Sequence, residues 1–163
     1  MPALIVPGQL MGYELPMATR RRNQIANFHN TEAITHLYMC VDADLRKNHP
    51  RALFRTGPAA TYNCHGLTFG SRRTTIDESE EVRKILKEDD YERVDPKNVS
   101  PGDVVLYINS KTGDVEHSAT VVSMEALGVP KVLSKWGHFS EAVHLLPDCD
   151  YDAERVEYYR VTK

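Results

Sequence analysis

The chain carries little excess charge of either sign, few cysteines and no long hydrophobic run. Twenty basic against 23 acidic residues leave a formal charge of −3, which gives no electrostatic case for nucleic acid as a partner. Arg20-Arg21-Arg22 is a local basic run, and three charges read as a solvated loop rather than a binding patch. No apolar stretch is long enough for a membrane-spanning helix, which needs roughly 20 residues, so no membrane partner is expected. The N-terminal stretch lacks the charged n-region of a secretory signal, and Pro7-Gly8 interrupts its apolar run. The expected location is the cytoplasm, or outside it by a route that uses no cleaved signal. The sequon Asn98-Val99-Ser100 is of a kind common by chance, and no secretory signal supports it. Cys40, Cys64 and Cys149 are odd in number and lack metal-type spacing. At least one thiol is therefore free of an intramolecular bridge, which fits a reducing compartment or a reactive thiol. There is no CxxC or HxxxH spacing, no internal repeat and no low-complexity tract. Neither a metal nor a cofactor is expected.

What is present is an ordinary globular composition, 41% hydrophobic and 26% charged over 163 residues, which is the size of one domain with a real core. Residues 1–19 hold Pro2, Pro7, Gly8, Gly12 and Pro16 and are expected to wrap the surface without regular structure. Ile34, Leu37, Tyr38, Val41 and Leu45 recur at helical spacing after Thr31, predicting an amphipathic helix over 31–47 that packs Cys40 and stops before Pro50. A short helix is expected over 63–70. A second is expected from Asp77 to Glu88, with Asp77 and Glu80 as a capping box and Val82, Ile85 and Leu86 as its apolar stripe. After Pro96 the β-branched segments 104–108, 115–123, 131–136, 141–146 and 156–161 predict five short strands with sequential pairing. Helices followed by a meander predict an α+β domain, with N-terminal helices packed on a five- to six-stranded antiparallel sheet. Residues 1–50 then form an extension around a 60–163 core. That extension would act as a lid, a specificity element, a seat for a protein partner or a plain enlargement of the fold.

The stretch Tyr62-Asn63-Cys64-His65-Gly66-Leu67-Thr68-Phe69-Gly70 organises the rest. It places a cysteine at a helix start, where the backbone favours the thiolate that acts as nucleophile. The plainer alternative is a small buried hydrophobe, the usual fate of a free cysteine. His117 lies near the start of a strand on which Val115, Ala119 and Val121 are expected to share its face. It is either a satisfied core histidine or the base of a Cys–His pair, if the Cys64 helix packs on that face. Cys149, between Asp148 and Asp150, is a poor nucleophile because the flanking charges disfavour its thiolate.

Three landmarks in order resemble the NlpC/P60 superfamily of papain-like cysteine peptidases and amidases. They are Tyr62-Asn63-Cys64-His65-Gly66, Ser100-Pro101-Gly102-Asp103-Val104-Val105-Leu106-Tyr107 and His117-Ser118-Ala119-Thr120-Val121-Val122. The resemblance covers about residues 60–136. It implies a papain-like fold and a peptide or amide substrate, for many members a cell-wall peptide, attacked by a cysteine with a histidine as base. On that pattern Cys64 would be the nucleophile and His117 the base. The third, orienting position falls near Ser134, where the family commonly has His, Asn or Asp, and His138 competes for that role. The family also usually has Ser or Ala where this chain has His65, a residue that would line the oxyanion region or cover the site. The backbone N–H of Cys64 would serve the oxyanion, with Tyr62 as a side-chain contributor or plain packing. Trp136 would form core or cleft wall, and Lys135 would be solvated.

Three readings follow. The first is a cysteine hydrolase, or an acyltransferase or thioesterase using the same dyad. The second is a catalytically silent domain of the same fold, used for regulation or interaction. The third, a metal site from Cys64, His65, His117 and His138, is disfavoured because the adjacent Cys64 and His65 project in different directions.

Overall fold

The computed structural model describes residues 11–162; the expectation for residues 1–10 lies outside them. Among the described residues the chain is α+β, with a seven-stranded antiparallel sheet and few helices. In chain order the elements are β1 (Gly12–Tyr13), β2 (His29–Asn30), α1 (His36–Asn48), β3 (Leu53–Phe54), α2 (Cys64–Phe69), α3 (Ser79–Glu88) and β4 (Tyr91–Val94). Five strands complete it: β5 (Val104–Ile108), β6 (Val115–Met124), β7 (Pro130–Lys135), β8 (Glu141–Leu145) and β9 (Val156–Val161). The five strands expected from β-branched content all form. The short β3 and β4 extend the sheet at its edges, and their two- and four-residue lengths leave almost no period-two signal to find.

The sheet order is β3-β8-β7-β6-β5-β9-β4. Strands β5 to β8 pair sequentially as expected, but β9 does not follow β8. It returns to the free edge of β5, pairing Leu106 with Glu157 and Val104 with Tyr159. All five residues of β5 are buried, and a strand covered on both faces is most stable with both edges paired as well. Arg160 of β9 grips Asp103 at the start of β5 with two contacts of 2.6 and 2.8 Å.

The sheet buries a different core on each face. Val104, Leu106, Ile108 and Val115 pack with Ile25, Ile76 and the α3 residues Val82, Ile85 and Leu86. Val105, Tyr107, Ala119, Val121 and Val132 pack on the other side with Val99 and Tyr158. This division corrects one expectation, since Val115 does not share the face of Ala119 and Val121. A register shift pairs Ile108 with Val115 but Tyr107 with His117, leaving Glu116 unpaired. One extra residue reverses the alternation at that point.

The N-terminal part is built in more deeply than a wrapping loop would be. Gly12–Tyr13 pairs with His29–Asn30, Phe28 exchanges backbone bonds with Thr75, and Ile25 is fully buried in the core. Helix α1 begins at His36 rather than 31, and its apolar stripe docks only in part, through Tyr38 against the rings of His138 and Phe139. Leu37 is 72% and Met39 53% exposed, and Cys40 is exposed rather than packed. The helix is also fastened through Asp42, which accepts Ser140 N–H at 2.7 Å and pairs with Arg46 at 2.9 Å. Helix α3 starts at Ser79 after Glu78, without a side-chain cap. Asp77 is not free to form the expected capping box, because it accepts from Asn63 Nδ2 at 3.0 Å and Thr75 Oγ1 at 3.2 Å.

Candidate active site

Helix α2 starts where it does because of Asn63. Its backbone is extended, its Oδ1 accepts Gly66 N–H at 2.9 Å and Ile76 N–H at 3.2 Å, and its Nδ2 donates to Ile76 O at 2.9 Å. One amide thus caps the helix and ties it to the strand-like segment ahead of α3. Gly66 lets that segment approach, since a Cβ there would lie 1.7 Å from the Thr74 carbonyl oxygen. These two residues hold Cys64 against the sheet.

The face on which α2 docks is fixed by register. Ala119 pairs with Ser134 and Lys135 pairs with Glu141, so Ser118, Lys135 and Glu141 form a row on the opposite face from Ala119 and Ser134. The α2 region meets that row residue by residue. His65 Nδ1 lies 2.8 Å from Ser118 Oγ, Thr68 Oγ1 lies 3.0 Å from the same oxygen, and Tyr62 OH donates to Glu141 Oε1 at 2.6 Å. Lys135 Nζ sits 4.7 Å from the centroid of the Tyr62 ring and donates to the Phe139 carbonyl. Lys135 is fully buried, which corrects the expectation of a solvated side chain. Strand alternation carries it away from Ser134, as expected, but that direction leads under α2 rather than into water.

Cys64 is 5% exposed and lines a cleft of about 580 Å³ together with Asn63, His65, Asp77, Val115, Glu116, Gly137, His138 and Tyr151. Burial pushes the Cys64 thiol up to about 11, outweighing the nearby backbone of Ser118, His65 and Cys64 itself, which favours the thiolate. At neutral pH Cys64 is a thiol. Burial holds His65 neutral, down to about 4.

His117 is fully buried and points to the face of Tyr107 and Ala119, not to the α2 face. Its ring stacks on Tyr151, with centroids 3.9 Å apart and planes 7° apart, and meets Tyr107 edge-on at 5.1 Å. Neither ring nitrogen has a hydrogen-bond partner, the Cys64 sulfur included. Burial lowers its pKa well below the ordinary histidine value. Tyr151 both stacks on this imidazole and lines the Cys64 cleft, which His117 itself does not line.

Ser134 does not reach His117. Its Oγ lies 2.8 Å from His144 Nε2 and accepts Trp136 Nε1–H at 3.1 Å. Trp136 belongs to an aromatic group with His49, Phe54 and His144, which makes it core rather than cleft. Tyr62 is turned to Glu141, where Arg72 also binds at 2.7 Å, and takes no position at the sulfur. Of the seven residues expected at the site, Cys64, His65 and His138 share the cleft. Sequence reading missed Ser118, Lys135, Glu141 and Tyr151. A parity count from Ala119 and Ser134 would have paired Ser118 with Lys135, but nothing in the sequence fixed that register. Among the described residues no group of three or more His, Cys, Asp or Glu could hold a metal ion, and no helix is long and apolar enough to cross a membrane.

Comparison with protein-family models, curated proteins and solved structures returns no match. The chemistry of the site therefore rests on its own geometry.

Proposed function

We propose that the chain is a cysteine hydrolase of papain-like organisation, cleaving an amide bond with Cys64 as nucleophile and His117 as general base. The observation that carries this reading is the Cys64 sulfur itself, set at the start of α2 in the wall of a cleft, beside backbone groups that favour its anion. Groups of that kind can also receive the oxyanion of a tetrahedral intermediate. In the reaction the thiolate adds to the carbonyl and the amine leaves with the proton taken from sulfur. Water then releases the acid and returns the thiol. Transfer to an acceptor other than water uses the same acyl-enzyme.

The resting arrangement is disengaged. Cys64 is protonated, and His117 lies behind Tyr151 without a hydrogen bond. Turnover requires Tyr151 to leave the imidazole and the imidazole to turn from the face of Tyr107 towards the cleft, a rearrangement of the 146–155 connection, which lies outside any strand. The same facts, with Ser134 committed to His144 and Trp136, favour a second reading, a silent domain of this fold.

Intact-mass analysis after incubation with activated esters and small peptide amides separates the two. The hydrolase forms an adduct on Cys64 that is absent in Cys64→Ala and decays with water. A folded wild type that never acylates sinks the hydrolase.

A further inference from the structure

The 146–155 connection is pinned at its two ends. Tyr107 OH donates to the Leu146 carbonyl at 2.9 Å, and Ile108 N–H donates to the Arg155 carbonyl at 2.9 Å. Between them, among the described residues, no backbone–backbone hydrogen bond ties 149–154 to the rest of the molecule. Side chains hold this part instead. Cys149, Tyr151 and Ala153 lie half-buried against the core of Val105 and Tyr107. The residues alternating with them, Asp148 and Asp150, meet the turn that follows α1. Arg51 Nη2 lies 2.6 Å from Asp148 Oδ1, and His49 Nε2 lies 3.0 Å from Asp150 Oδ1.

The two contacts match in spacing. Two residues separate the donors on one segment and the carboxylates on the other, and the pairs run antiparallel, so the segments meet as a two-toothed clasp. Pro50 sits between the donors and fixes the backbone there. His49 is itself seated, with its ring 4.7 Å from that of Trp136 and its N–H bound to the Leu45 carbonyl. The fork is therefore rigid, and the acidic segment is the part free to part from it.

We propose that His49 and Arg51 latch the acidic 146–155 connection shut, holding Tyr151 in the wall of the Cys64 cleft and so regulating access to the sulfur. As regulation of that site, it rests on the reading of Cys64 as the nucleophile. Tyr151 directly follows the latched Asp150, stacks on His117 and lines the cleft in which Cys64 is only 5% exposed. Asp148, Asp150, Asp152 and Glu154 crowd like charge into one short segment, so their mutual repulsion opposes closure wherever the fork lets go. Exposed ion pairs shift an equilibrium only a few-fold each and weaken with salt. That strength suits a cover that opens repeatedly.

The test is the rate of Cys64 alkylation by iodoacetamide, an uncharged probe, read site by site by mass spectrometry at fixed pH. Exposed Cys40 serves as internal reference. Arg51→Ala and Asp150→Ala are each expected to speed Cys64 about two- to fivefold, the range for one exposed pair, with Cys40 unchanged. Wild type should speed up as salt rises from about 0.01 to 1 M, where the Debye length falls from about 30 to 3 Å, and Arg51→Ala should lose most of that response. Reversing the pair, Arg51→Asp with Asp148→Arg, should return the rate towards wild type although either change alone raises it. A double variant Arg51→Ala/Asp150→Ala that is folded and no faster than wild type overturns the latch, as does a reversed pair as fast as its single members. Faster alkylation in these variants of a protein that never acylates would sink the hydrolase and keep the latch. Acylation of Cys64 with rates that the variants leave unmoved would sink only the latch.

Discussion

Single residues carry most of the chemical tension in this molecule. His117, buried without a partner for either nitrogen, would be costly as a cation, so the fold keeps it neutral. His65 and His144 are lowered by burial as well. For each, the unfolded chain binds a proton that the folded chain refuses once pH drops below the unfolded value of about 6.5. Their contribution is complete above that value and is lost as pH falls. For His65, with a folded value of about 4, the loss amounts to about 3 kcal/mol by pH 4, at about 1.4 kcal/mol per unit. Urea midpoints measured from pH 7.5 to 4.5 should fall steadily, and His65→Gln should flatten the slope. A pH-independent midpoint would contradict the burial of these rings. His117→Ala should cost about 2–4 kcal/mol, because it opens a cavity between Tyr107 and Tyr151. A melting temperature close to wild type would show that the Tyr151 loop collapses to fill it.

At the scale of elements, the junction of α2 with the sheet determines whether there is a site at all. Gly66→Ala should destabilise by about 1–3 kcal/mol or more, since its methyl would collide with the Thr74 carbonyl, and overpacking of this kind outweighs alanine's helical advantage. Denaturant titration checks it, and a neutral or stabilising result would mean that α2 is less tightly seated than its hydrogen bonds indicate. Asn63→Ala should cost about 1 kcal/mol through the lost cap. It should also change the reactivity of Cys64, because the same amide fixes the helix start to Ile76 and Asp77. The motif around Cys64 was legible as a capped helix start because Asn63 and Gly66 have strong local preferences. The face on which the helix lands was not, since it depends on a register shift near Val115 that local preference does not specify. A one-residue slip transfers every later side chain to the other face, which is why Lys135 and Ser118 lie under α2 while His117 and Ser134 lie away from it.

In the whole molecule, the return of β9 to β5 inserts it between β5 and β4 and lays the 146–155 connection, with Tyr151, over His117. The link between Arg160 and Asp103 holds this arrangement, with Asp103 also accepting Ser100 N–H at 2.8 Å. Asp103→Ala should cost about 2 kcal/mol, the range for hydrogen bonds to a charged group, and should loosen the Pro101–Gly102 turn. Hydrogen exchange at β5 and β9 would report it, and unchanged protection there would show that the strands pair without this anchor. The sequence by itself determined the five strands from Val104 onward, the α+β class, and the cysteine at a helix start. These follow from spacing and capping within a few residues. Tertiary structure decided the place of β9, the docking face of α1, and which side chains meet Cys64. Each of those depends on pairings between residues dozens of positions apart, and on the burial of Lys135 and His117, whose cost or use appears only once the chain has closed around them.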